Sequence, residues 1–139
     1  MKPRYVIGIA AVLLAFAAFV PLSPGNSIET PTLDVGAVTK IEVFVHGGLK
    51  PYREINDSAE LAKLVAFVNL HRTGWSKPLF EGPMPQVIVW FFVGTRQERG
   101  FGAGSNFFWT LPNLSQEASR EDRKRFMEVL GLDEALLNP

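Results

Sequence analysis

The chain has no cysteine, only two histidines, His46 and His71, and no excess of either charge, its 14 basic and 14 acidic residues cancelling over 139 positions. Each shortage removes a class of function. Without cysteine there is no thiol nucleophile, no thiolate metal site, no disulfide and no lipid-modified N-terminal cysteine, so a domain of this size must be held by its apolar core alone. Two isolated histidines and no Asp-x-Asp-x-Asp loop leave nothing with metal-ligand spacing, and neither a metal nor any other cofactor is expected. A neutral balance is not that of a nucleic-acid binder, which gains affinity by neutralising phosphates with clustered Lys and Arg.

What is present begins with an address. Lys2 and Arg4 precede an uncharged run from Tyr5 to Leu22, and Ser23-Pro24-Gly25-Asn26 follows. A positive flank ahead of an apolar run is retained on the cytoplasmic side, so the residues after it are delivered across the membrane. Val6 to Leu22 is 17 residues. As a helix rising about 1.5 Å per residue it reaches roughly 25 Å, the short end of what spans a hydrocarbon core of about 30 Å. Ala15-Phe16-Ala17 and Ser23-Pro24-Gly25 each place small residues where signal peptidase reads them. Residues 1–25 are therefore either an uncleaved N-terminal anchor, contacting the membrane through residues 5–22, or a cleaved signal peptide. The expected location is membrane-anchored with the C-terminal domain outside the cytoplasm, or secreted or periplasmic after cleavage.

Beyond the leader, residues 26–36 carry Pro, Ser, Thr and Gly and read as a flexible linker. Residues 37–139 have the length of a single domain, and the whole chain beyond Lys2 and Arg4 carries 12 basic against 14 acidic residues. In Thr39 to His46, Ile41, Val43 and Val45 alternate with Lys40, Glu42 and Phe44, the period of a strand with one buried face. Gly47-Gly48 turns the chain, and Tyr52 to Ile55 is a short returning strand. Asp57 and Glu60 frame a helix start of the capping-box type, and Leu61, Leu64, Val65 and Val68 form its apolar stripe up to His71. Arg72 to Gln86 is dense in Gly and Pro and reads as a loop, although Trp75, Leu79, Phe80 and Met84 make it unusually apolar.

Val87 to Val93 is seven apolar residues in succession. A run that short and rich in β-branched and aromatic residues predicts a central strand buried on both faces. Arg99 to Trp109 reads as a fourth, glycine-interrupted strand, with a bulge or bend at its glycines. Ser119 and Asp122 cap a second helix with Phe126, Val129 and Leu130 on its apolar face, and Gly131 ends it. The order ββα, loop, ββα predicts an α+β domain: a two-layer antiparallel sheet of about four strands with two helices on one face, preceded by an N-terminal hydrophobic helix.

Catalytic motifs are weak. His46 sits at a strand end beside two glycines, and His71 at a helix C-terminus, where a protonated imidazole is favoured by the dipole. Ser105 follows glycines but leads into a strand, not the helix that a nucleophile elbow requires. The same glycines fail as a phosphate cradle for the same reason. Arg120, Arg123, Lys124 and Arg125 are interleaved with Glu121, Asp122 and Glu128 at helix pairing distance, which makes a solvated face. Asn56-Asp57-Ser58 and Asn113-Leu114-Ser115 match the N-glycosylation pattern, meaningful only in a eukaryotic secretory pathway.

One expectation is geometric. With helices on one side only, the central strand presents Trp90 and Phe92 to the other side, and Phe44 lies beside them. An aromatic surface of Phe44, Trp90 and Phe92, extended by Trp75 and Phe80 of the loop, is the candidate binding site. The competing expectation is that the loop folds over this face as a lid. The sequence thus reads as a small extracytoplasmic module that binds a partner protein or helps assemble the envelope; the alternative is a small extracytoplasmic hydrolase using His46 or His71 with a carboxylate such as Glu54 or Asp57.

Overall fold

Alternation in Lys40 to Val45 produces a strand whose Ile41 and Val43 are fully buried while Lys40, Glu42 and Phe44 face the other way. The computed structural model describes residues 27–78, 82 and 84–138, and across them the fold is α+β. Six strands, β1 (Lys40–Val45), β2 (Arg53–Ile55), β3 (Val87–Val93), β4 (Arg96–Ala103), β5 (Phe107–Thr110) and β6 (Leu114–Glu117), form one antiparallel sheet in the order β2-β1-β3-β4-β5-β6. Helices α1 (Ser58–Leu70) and α2 (Arg120–Leu130) and a 3₁₀ turn at Glu134–Leu137 complete it. Residues 1–25, expected to be an anchor or a signal peptide, lie outside the described residues, and with them the expected N-terminal helix. Among the described residues no helix is long and apolar enough to cross a membrane.

The four expected strands are six. The return strand predicted over Arg99 to Trp109 is two, because Gly104-Ser105-Asn106 folds back sharply and the Gly104 amide donates to the Phe107 carbonyl at 2.9 Å. The edge strand β6, Leu-Ser-Gln-Glu, has one apolar residue and therefore no period to detect. The bulge also lies elsewhere. Phe91 pairs with Arg99 but Phe92 pairs with Gln97, so Glu98 is the extra residue in β4, ahead of the glycines.

Both helices cover the same sheet face. Phe67 of α1 and Phe126 of α2 lie 5.4 Å apart by ring centroids and meet Phe101 and Phe108 of the sheet at 5.3 to 6.1 Å. Burying each such ring contributes roughly 1.5 to 3 kcal/mol, so this aromatic cluster is a large contributor to cohesion in a chain without staples. The α1 stripe Leu61, Leu64, Val65 and Val68 is buried as its spacing predicts. Asp57 accepts from the Glu60 amide at 3.0 Å, but the Glu60 carboxylate does not return to complete a box; it pairs with Arg53 Nη2 at 2.6 Å. Arg53 Nη1 also donates to the Leu130 carbonyl at 2.9 Å, tying β2 to the last turn of α2. Gly131 ends that helix with φ +69°.

Residues 27–36, expected to form most of a flexible linker, lie against the domain as a strap. Ile28 and Trp75 exchange backbone hydrogen bonds at 2.7 and 3.2 Å, and the Asn69 amide both donates to and accepts from the Leu33 backbone at 2.9 Å. Leu33 is only 4% exposed, so the strap contributes an anchor to the core. A segment without secondary-structure period can be fixed this way by partners distant in sequence, which is why composition alone reads it as a tether.

Candidate functional site

The register of the sheet places Phe44, Ile88, Trp90 and Phe92 together on the face away from both helices. Phe44 pairs with Ile88, Glu42 with Trp90 and Lys40 with Phe92 across β1 and β3. On the far side of β3, Trp90 pairs with Gly100, Ile88 with Gly102, and Gly102 in turn with Trp109. Phe107 joins the same face from β5. All six apolar residues are partly exposed, whereas their neighbours Val87, Val89, Phe91, Phe101 and Phe108 are buried beneath the helices.

Three glycines at alternate positions make this face possible. The Trp90 ring lies over Gly100, where an added Cβ would sit 2.5 Å from Cζ3, and the Phe107 ring lies over Gly104, where an added Cβ would overlap Cε1. At Gly102 the obstacle is Pro85, 3.0 Å from such a Cβ, together with the Val87 carbonyl at 2.8 Å. Bare backbone thus lets the rings lie low on the sheet, and Trp90 meets Trp109 edge-on at 6.1 Å and 87°. At one end of the patch Lys40 Nζ stands 4.5 Å over the Phe92 ring and pairs with Glu42 at 3.0 Å, giving the apolar surface a charged border.

Of the five residues singled out from sequence, the structure brings Phe44, Trp90 and Phe92 together. Trp75 is placed elsewhere. It is 1% exposed on the helix side, edge-on to Phe101 at 5.9 Å, with its indole N–H donating to the His71 carbonyl at 2.7 Å. Phe80 lies outside the described residues. The end of the loop does reach the open face, since Pro85 is buried against Gly102, while Met84 is 74% exposed. Sequence reasoning missed Phe107 and Trp109, although their alternation with buried Phe108 and Thr110 is the same signal that identified Trp90 and Phe92.

The histidines are apart from this surface. His46 is exposed in the β1–β2 turn with φ +51°. His71 caps α1, stacked on Phe67 at 4.5 Å and edge-on to Phe108 at 5.1 Å. Its Nδ1 is 2.8 Å from the Phe67 carbonyl, which can only accept, so Nδ1 carries the proton. Nε2 faces Asp122 at 3.9 Å, beyond hydrogen-bond length. Glu54 and Asp57, the expected carboxylate partners, are engaged with Asn56 and the Glu60 amide instead. No group of three or more His, Asp or Glu residues among the described residues is placed to hold a metal ion.

Compared with known protein families, with curated proteins and with solved structures, the chain finds no match.

Proposed function

We propose that this chain is a small extracytoplasmic binding or envelope-assembly module, tethered by or released from its leader, whose glycine-backed aromatic sheet face receives a partner protein. The observation that carries this reading is the clustering of six apolar side chains, two of them tryptophans, on the face that neither helix covers. Tryptophan and phenylalanine over bare backbone offer large rigid contact area at little entropic cost, the composition favoured at the centre of protein interfaces. Lys40 and Glu42 supply the polar rim such interfaces have. The leader sequence supports a location outside the cytoplasm.

Placing a photoreactive phenylalanine analogue at Phe44 or Phe92, and separately at Ala66 or Lys63 on the exposed side of α1, tests the proposal in the native envelope. The sheet-face positions should each crosslink to the same discrete species, with no such species from the helix positions. Crosslinking that is equal from both faces, or absent from the sheet face, overturns it.

The hydrolase reading has one observation in its favour, the approach of His71 Nε2 to Asp122. Among the described residues, the cavities lined by Arg53 and Glu60, by Leu33 and Arg99, and by Asn106 and Ser119 include neither histidine. Catalysis needs a substrate-sized space beside the base, so the binding reading is the better supported.

A further inference from the structure

Seven arginines lie among the described residues, and six of them have a partner. Arg53 pairs with Glu60, Arg72 with Glu29, Arg96 with Glu98, Arg120 with Glu134 and Arg125 with Glu121, while Arg123 donates to the Ser105 carbonyl. Arg99 is the exception: among the described residues it forms neither an ion pair nor a side-chain hydrogen bond, and its Nη1 is buried without a partner. A guanidinium carries five N–H donors, and leaving one buried and unpaired is costly. Burial holds the group below the usual arginine range, Glu98 opposing that shift and Arg72 adding to it.

Arg99 stands in the wall of a cavity of about 270 Å³, enclosed by the strap on one side and the β3–β4 end of the sheet on the other. Leu33 and Val93 give it apolar walls, and Asp34, Arg96 and Glu98 line it with Arg99. Glu98 is bound to Arg96 at 2.8 Å, and Asp34 Oδ1 accepts from the Gly36 amide at 2.9 Å. The lining is formally neutral, Arg96 and Arg99 against Asp34 and Glu98, yet Arg99 makes no ion pair with either carboxylate, and the two carboxylates would repel a dianion. The space holds about nine water-sized groups at roughly 30 Å³ each.

We infer that this cavity binds a small aliphatic monocarboxylate, its carboxylate held by the Arg99 guanidinium and its carbon chain against Leu33 and Val93. Nη1 is enclosed by protein, and the Nε and Nη2 edge of the guanidinium, which is not, matches a carboxylate in two-point contact, while the apolar walls take the tail. A free short-chain acid and the C-terminus of a peptide ending in an aliphatic residue share this chemistry. The site is separate from the aromatic face and does not rest on the function proposed for it.

Titrating the full isotope-labelled chain with valerate, at ionic strength held constant with chloride, tests the inference through the backbone amides of Leu33, Val38, Val93 and Arg99. Saturable shifts at these amides are expected, and Arg99→Met should abolish them while melting at or above the wild-type temperature, since it removes a partly buried charge that has no ion-pair partner. Arg99→Lys, which keeps the charge but loses the fork, should weaken binding about tenfold or more. Glycyl-valine binding while its C-terminal amide does not identifies a chain terminus as the source; valerate binding without the dipeptide identifies a free acid. No saturable shift with either ligand, unchanged binding in Arg99→Met, or tighter binding of phosphate than of valerate overturns the inference.

Discussion

The Trp90 indole occupies the space that a side chain at residue 100 would need: an added Cβ on Gly100 would lie 2.5 Å from Cζ3 of the ring. The two residues are directly paired across β3 and β4, so the strand that supplies the ring and the strand that makes room for it are fixed by one register. Gly100→Ala is therefore expected to destabilise the fold by about 1 to 3 kcal/mol, through displacement of the ring, and to change the tryptophan emission. In a Trp90→Ala background the same substitution should cost less by roughly 1 kcal/mol, as contacting pairs couple. Denaturant titration of the four proteins checks this; additive effects would mean that the ring does not rest on Gly100.

Open-face and core aromatics should separate in a stability scan. Phe126→Ala and Phe101→Ala, both emptying fully buried sites, are expected to cost about 3 to 5 kcal/mol. Phe44→Ala, on the partly exposed face, should cost under about 1.5 kcal/mol. If Phe44→Ala is as damaging as Phe126→Ala, that face is a second core rather than a binding surface.

Asn69 holds the strap by two hydrogen bonds to Leu33, both 2.9 Å. Asn69→Leu leaves the Leu33 amide and carbonyl without these partners and should destabilise by about 1 to 3 kcal/mol. Hydrogen exchange should show faster opening at Ile28 and Thr30, whose amides donate to Trp75 and Arg72, with the sheet core unchanged.

Gly131 holds φ +69° at the end of α2. Gly131→Ala should lower stability by about 1 kcal/mol, a conformational penalty independent of salt. An increase in melting temperature would show that this helix end can be rebuilt without the left-handed residue.

The expected anchor or signal peptide at residues 1–25 has a direct readout in the N-terminal sequence of the protein as isolated from cells. Cleavage at the first small-residue site starts the chain at Ala18, at the second at Asn26, and an uncleaved anchor retains Lys2 and Arg4. All three leave Ile28 in place to pair with Trp75, so the strap is expected to persist in each, measurable as equal melting temperatures of chains starting at Ala18 and at Asn26.

Where side-chain period is strong, the structure was legible in advance. The α1 stripe, the Asp57 and Ser119 caps, the Gly131 stop and the whole of β3 lie where residue spacing places them. The aromatic face was legible in part, since Phe44, Trp90 and Phe92 follow from alternation once the helices are known to cover one side. The placement of Trp75 was not, because a loop tryptophan can turn to either side of a sheet. It is drawn to the helix side by a long-range pairing, to Ile28, and by an indole bond to the His71 carbonyl.

Residue spacing alone accounts for β1, β3, both helices and the chemistry that is closed to this protein, though not for the division into β4, β5 and β6. Periodicity and capping act over three or four residues, and the absence of cysteine needs no structure to interpret. Long-range packing set the rest: that Gly100 and Gly104 are floors for Trp90 and Phe107, that the expected linker includes a strap, and that Arg99 lines a cavity without an ion-pair partner. These depend on register and on contacts between residues tens of positions apart, and pairing across such separations is settled by the packing of the whole chain rather than by any segment of it.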